Sequence, residues 1–240
     1  QHLRVAQWAV RGGSAARAQE AAWQAVRGAT LDRDRRYALS LLVEAHGLDH
    51  SLPTLLDRFA QQAALSTDEE RVRIDVLRQT GQFQTAIDLF TSAHGGELGP
   101  DLRQELLRMY RDAGQDAAMI AEYRQLIARE PDVTDWPEGL SQYYLEQADQ
   151  RNARRVWEDF LASHDSVTML LSGAESMTAF GLHDLALGAT AKALTGSPGV
   201  EAVGQVRLTE FDLYRRRGLN TEAEATLVAL DAALPPDSAY

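Results

Sequence analysis

Turn residues recur along this chain at positions 12, 47, 81, 114, 148, 181 and 218, with successive spacings of 35, 34, 33, 34, 33 and 37. Six of the seven are glycine, and the other is Ala148. A ladder of this regularity restricts the fold, because each interval must hold the same supersecondary unit and neighbouring units must stack to bury a core. The unit is clearest over Leu77–Ala93, LRQTGQFQTAIDLFTSA. One amphipathic helix ends near Gly81 and a second begins near Phe83. The inward residues of that second helix are expected to be Ala86, Ile87, Phe90 and Ala93, the spacing of one buried helical face. Glycine suits the turn because a helix C-terminus commonly needs a left-handed residue there.

The same grammar returns along the chain. Tyr110 and Gly114 precede Ile120, Tyr123, Leu126 and Pro131, and Tyr144 and Ala148 precede Ala153, Trp157, Phe160 and Leu161. Phe180 and Gly181 lead to Ala186, Ala189, Ala193, Leu194 and Pro198. Tyr214 and Gly218 lead to Ala223, Leu227, Leu230 and Pro235. Upstream, Gly47 precedes Leu52, Leu56 and Phe59, while Gly12 precedes Ala18, Ala22 and Val26. Ser66-Thr67-Asp68-Glu69-Glu70 holds two overlapping capping boxes, and Thr134-Asp135-Trp136-Pro137 places a cap and a proline where a helix should begin. Pro131, Pro198 and Pro235 fall where second helices should stop. No stretch reads as a strand, and aromatic residues are only 7 % of the chain. The Gly95–Pro100 segment is the loosest connector, yet the period continues across it.

Helix pairs of this period resemble the tetratricopeptide (TPR) family. In that pattern a large residue lies late in the first helix and glycine at the turn. A small residue, an aromatic four later, another small residue and a closing proline follow. Gly81, Ala86, Phe90 and Ala93 match, as do Tyr110, Gly114, Tyr123 and Pro131, with Met119 standing where a small residue is usual. The resemblance implies an all-α, right-handed superhelical solenoid of about seven helix-turn-helix repeats, bounded roughly at 1–32, 33–66, 67–99, 100–133, 134–166, 167–203 and 204–240. The last helix carries Leu227, Val228, Leu230 and Leu234 in place of a polar cap, and Pro235-Pro236-Asp237 follows as if a further repeat should begin. A segment of a longer array is therefore expected. The start at Gln1 in place of methionine reads as a processed or excised chain.

A solenoid of this kind presents its first helices along a groove that binds other proteins. The residues expected to line it are Arg71, Asp75 and Arg78, then Gln104, Arg108 and Arg111, then Glu138, Gln142 and Glu146, with Glu175 beyond. The groove reads as arginine-rich in the middle and acidic further on, and arginine forks suit an acidic partner segment. The plainer reading is a solvated face with local pairs such as Arg71–Asp75. The lysine and asparagine positions of chaperone-type carboxylate clamps are missing.

The net charge of −11 argues against phosphate backbones and anionic membranes as partners. With no cysteine there is no thiolate metal site and no cysteine nucleophile. No apolar run approaches the ~20 residues of a membrane span. His46 and His50 flank the expected turn and read as loop histidines in place of metal ligands. Glu69/Glu70 and Asp149/Asp165 suit helix ends better than acid–base work. The four tryptophans read as core, with Trp136 the one expected to be partly exposed. No catalytic residue, metal site or cofactor is expected.

Lys192 is the only lysine. Degenerate, arginine- and alanine-rich TPR arrays without cysteine are similar to the periplasmic scaffolds of bacterial exopolysaccharide export, where a TPR region precedes an outer-membrane barrel, as in the Pel and cellulose systems. That resemblance implies a periplasmic location and, as partner, a polysaccharide deacetylase/hydrolase. The alternatives are a cytoplasmic TPR sensor or co-chaperone module and, further off, an enzyme on an α/α fold.

Overall fold

The computed structural model describes residues 1–95, 98–196 and 198–233. Among these residues every regular element is an α-helix. The first six are α1 (His2–Arg11), α2 (Ala15–Gly28), α3 (Asp32–Gly47), α4 (Leu52–Ala60), α5 (Thr67–Gln79) and α6 (Phe83–His94). Next come α7 (Pro100–Asp112), α8 (Asp116–Arg129), α9 (Asp135–Glu146) and α10 (Gln150–Ser163). The last are α11 (Val167–Ala179), α12 (His183–Thr195), α13 (Val200–Arg216) and α14 (Asn220–Ala233). The chain forms two compact units, Gln1–Met119 and Ile120–Tyr240.

One turn recurs at each hairpin. The amide of the residue after the turn donates to the carbonyl five residues back: Ser14 to Ala9, Ser51 to His46, Gln82 to Leu77 and Gln115 to Tyr110. Further on Asp149 bonds Tyr144, Leu182 bonds Met177 and Leu219 bonds Tyr214 in the same way. This is the Schellman closure, which satisfies a terminal carbonyl and requires a left-handed residue just before the donor. Gly13, Gly81, Gly114, Gly181 and Gly218 occupy that place with φ from 64 to 77°, while His50 and Ala148 occupy it at 58°. Two rungs therefore differ from expectation. The first left-handed residue is Gly13, one past Gly12. In the second pair Gly47 is the last residue of α3, and His50 makes the turn. Ala148 takes the strained conformation that its neighbours leave to glycine.

In the first unit α1, α2 and α3 pack together through small residues, Ala6, Ala9, Ala18, Ala22, Ala38 and Ala45, around Leu39, Leu42, Leu55 and Phe59. Ile74, Leu77, Ala86, Ile87, Phe90, Leu106 and Met109 form the next layer. In the second unit Trp157, Phe160, Ala174, Met177, Ala186 and Ala189 carry the core between α10 and α12. Polar ties at about the repeat spacing stitch the layers: Arg154 reaches Asp184, Lys192 donates to the Leu161 carbonyl, and His164 Nε2 meets the Pro131 carbonyl at 3.0 Å.

Several side chains differ from their expected places. Trp8 is 70 % exposed, because α1 turns Ala6, Ala9 and Val10 inward and position 8 falls on the opposite side. Trp136 is buried, its indole N–H donating to Glu130 at 3.0 Å. His46 is a buried helix residue, its Nδ1 2.8 Å from the Leu42 carbonyl. Ala93 is exposed at the end of α6, beside a shallow hollow with Glu70, Arg73 and Leu89. In α14 the buried residues are Ala223, Thr226 and Leu230, while Leu227 looks outward. Met119 is fully buried beside a half-buried Ile120, and Leu55 is fully buried with the half-buried Leu52 and Leu56 packed against its cluster. One capping box closes, Ser66 with Glu69, since Thr67 is already helical. Thr134 makes no side-chain cap, and Asp149 caps α10 through the Asn152 amide. Leu234 and the Pro235-Pro236-Asp237 signal lie outside the described residues, as do Gly96 and Glu97 of the 95–100 connector.

Candidate functional site

The first helices of two consecutive pairs, α5 and α7, bound an open hollow of 630 Å³ in the first unit. Four of the expected groove residues meet there, Arg71 and Asp75 from α5 with Gln104 and Arg108 from α7. Residues three, four and seven apart share one helical face, so each helix brings a row of side chains to the rim. Ile74, Phe90 and Leu102 form the floor, which α6 supplies in part by ending beneath it. His94, at that end, points Nδ1 back to the Phe90 carbonyl at 2.8 Å and lies against the Phe90 ring.

Sequence reasoning missed Asp101 and Glu105, which also line the hollow. They change its character. Arg71 and Arg108 face Asp75, Asp101 and Glu105, so the rim carries both signs where an arginine-rich surface was expected. The signal available was the Glu105–Arg108 spacing on one helix face, and those two side chains do pair at 3.3 Å. The expected Arg71–Asp75 pair does not form. Asp75 leans instead toward Arg78 at 3.9 Å, and Arg71 makes no ion pair among the described residues.

Arg78 acts as a brace between α5 and α7. Its guanidinium donates to Glu105 at 2.5 Å and to Asp112 at 2.6 Å, and its side chain is only 23 % exposed. Burial works against the cation. The Asp112 hydrogen bond and the charges of Glu105, Asp112 and Asp75 outweigh that and hold its pKa above the ordinary value. Desolvation is the first cause lifting the Asp75 carboxyl above its usual range, with Glu105 adding to it and Arg78 and Arg71 opposing. The Asp75 side chain is 61 % exposed, so solvent keeps that effect small.

The remaining expected residues lie elsewhere. Arg111 is exposed near the end of α7. Glu138, Gln142 and Glu146 share α9 in the second unit. There Glu138 accepts from Ser176 Oγ on α11, and Gln142 donates to Glu146. Glu175 is exposed on α11. The second unit has its own hollow of 660 Å³ between α8, α9 and α10, floored by Ile127, Leu140, Val156 and Phe160, with Arg124 and Arg155 at its edge. Among the described residues no three metal-ligating side chains converge, and no helix is long and apolar enough to cross a membrane.

Seven successive helix hairpins closed by one turn motif define an all-α array of TPR-like repeats. No known protein-family profile matches the chain, and no curated protein sequence does. Solved structures give distant likenesses. A tetratricopeptide repeat protein from Parabacteroides merdae is 16 % identical, covering 98 % of this chain and 79 % of that one, with a TM-score of 0.33. The C-terminal part of a TPR repeat-containing protein from Cytophaga hutchinsonii is 14 % identical over 98 % and 96 %, with a TM-score of 0.35. A structure of Naa15/Naa10 bound to HypK-THB is 14 % identical, covering 95 % of this chain but 36 % of that one, with a TM-score of 0.40. The fold assignment rests on the hairpins themselves.

Proposed function

We propose that this chain is a non-catalytic helical-repeat scaffold that holds an extended segment of another protein over the α5–α7 hollow. The observation that carries this reading is the meeting of Arg71, Asp75, Gln104 and Arg108 around the floor of Ile74, Phe90 and Leu102. An apolar side chain of the partner fills the floor, and flanking side chains of both signs find opposite partners on the rim. Arg71, without an ion pair among the described residues, is the strongest anchor for a carboxylate, whereas Arg78 keeps the two helices in register. Arg111 extends the proposed contact surface along α7, and Glu138, Gln142 and Glu146 on α9 form a separate proposed contact surface in the second unit.

The test is a pair of charge reversals, Arg71→Glu and Arg108→Glu, with a photo-crosslinker placed at Gln104. Helical circular dichroism should be unchanged and cross-linking to the partner lost. Undiminished cross-linking by the folded double variant would overturn the assignment.

The proposed setting is a periplasmic segment of a Pel-like exopolysaccharide export protein, with a polysaccharide deacetylase/hydrolase as the partner. Support comes from repeat style alone: arginine in place of lysine, abundant alanine and no cysteine. Titration of the chain with such a deacetylase/hydrolase tests it, and absence of saturable binding refutes that setting while leaving the scaffold reading intact.

A further inference from the structure

A second hollow of the first unit has a different chemistry. It has a volume of 590 Å³ and is lined from α2 by Glu20, Trp23, Val26 and Arg27, from α3 by Arg35, from α4 by Arg58, and by Gln62 and Glu69. Three guanidiniums therefore face one space in a protein whose net charge is −11. None of them forms an ion pair among the described residues. Arg58 lies over the Trp23 ring at 5.8 Å, and Arg35 makes only a 3.5 Å contact with the Ala29 carbonyl. The two carboxylates on the lining keep their charge there but form no ion pair with these arginines among the described residues. Glu69 accepts from the Ser66 amide and hydroxyl in the capping box, and Glu20 accepts from Gln24.

The Trp23 side chain adds a second, independent observation. The residue is 7 % exposed, and its buried indole N–H has no acceptor among the described residues. Buried N–H groups are nearly always paired, and an unpaired one costs free energy that a bound acceptor recovers. The arginines are exposed or half-exposed and so reachable, and guanidinium geometry matches the oxygens of phosphate and carboxylate two at a time. Three guanidiniums against two carboxylates leave the lining with a net positive charge. The volume also lies within the range of small-molecule sites, about 300–1,000 Å³.

We infer that this hollow binds a phosphate-bearing small anion, held by Arg27, Arg35 and Arg58 with its apolar part against Trp23 and Val26. The site is separate from the α5–α7 hollow and uses none of its residues. Glu20 and Glu69 offset part of the charge of the three arginines, and a bound anion offsets the remainder.

Titration of the full chain with inorganic phosphate, pyrophosphate and citrate tests the inference, followed by calorimetry and by tryptophan emission, which Arg58 on the Trp23 face should make responsive. Saturable pyrophosphate binding below about 1 mM is expected, the weakest level of a useful specific site. Arg35→Gln and Arg58→Gln should each weaken it at least ~10-fold, the size of one charge-assisted contact. Arg58→Lys should restore part of that loss, and Arg17→Gln, outside the hollow, should leave affinity unchanged. Lack of saturable pyrophosphate binding, binding of citrate alone, or equal affinity in the folded Arg35→Gln and Arg58→Gln variants would each overturn the assignment.

Discussion

Ala148 is the rung of the turn ladder where an L-side chain sits in the left-handed region, at φ 58°. For residues other than glycine that conformation costs roughly 1–2 kcal/mol. The turn is otherwise fully formed, with Ala148 N–H bonded to the Leu145 carbonyl at 2.9 Å and Asp149 N–H to Tyr144 at 2.8 Å. Its methyl group is exposed, so removing it forfeits little packing. Ala148→Gly therefore relieves the strain, offset by the greater freedom glycine gives the unfolded chain, about 0.4–1 kcal/mol. The net expectation is a stabilisation of about 0.5–1 kcal/mol, or ~1–4 °C in Tm for a chain of this size. Gly181→Ala is the mirror experiment. An added Cβ there meets nothing within 4 Å, so its cost is conformational alone and of similar size with opposite sign. Urea unfolding followed by tryptophan emission reads both, since Trp136 and Trp157 lie in the pair that Ala148 joins. Destabilisation by Ala148→Gly, or a neutral Gly181→Ala, would show that backbone strain does not decide these turns.

Glycine matters differently at Gly173, where an added Cβ would lie 2.5 Å from Phe160 Cε1 in the core. Gly173→Ala should destabilise by about 1–3 kcal/mol, the usual range for overpacking. Gly139→Ala, which meets the half-exposed Tyr123 ring, should cost less because that side chain can swing aside, and the two midpoints in urea compare them directly. The Arg154 hydrogen bond holds the Asp184 carboxyl below its ordinary range. A depressed carboxylate stabilises above its unfolded value of about 3.9 and loses that contribution as pH falls through the lower folded value. Carbon-detected NMR titration should place Asp184 below that value, and Arg154→Gln should return it upward; an unmoved titration refutes the pairing. Burial, helped by Arg58, depresses the His46 imidazole against the opposing Leu42 hydrogen bond and Asp49. A depressed histidine contributes fully above about pH 6.5 and loses stability as pH falls from there through its folded value. Denaturant midpoints measured across that interval should flatten in His46→Met, and an unchanged slope counts against the burial of a neutral ring.

Much of the fold was legible because turn chemistry and helical periodicity are local. The period located all seven hairpins, and Ala86, Ile87, Phe90, Trp157 and Phe160 were correctly placed inside because residues one helical turn apart must share a face. The rungs that slipped show the limit. Gly12 and Gly47 were plausible caps, but where a helix stops depends on which amide reaches back five residues, and His50 won that place through Ser51 N–H to His46.

The sequence by itself determined that the chain would be all-helical, repeat near 34 residues and turn where glycine permits. It also placed Arg71, Asp75, Gln104 and Arg108 on facing first helices. Tertiary structure decided which charges are spent and which remain. Arg78 is consumed by Glu105, 27 residues away, and Asp112, 34 away, while Arg27, Arg35 and Arg58 converge from three helices without an ion pair among the described residues. Such pairings depend on rotamers and on helix packing across repeats, which residue spacing along one helix does not encode. The same reason buries Trp136 and leaves Trp8 in solvent: a tryptophan's exposure is set by what the neighbouring helix presents to it.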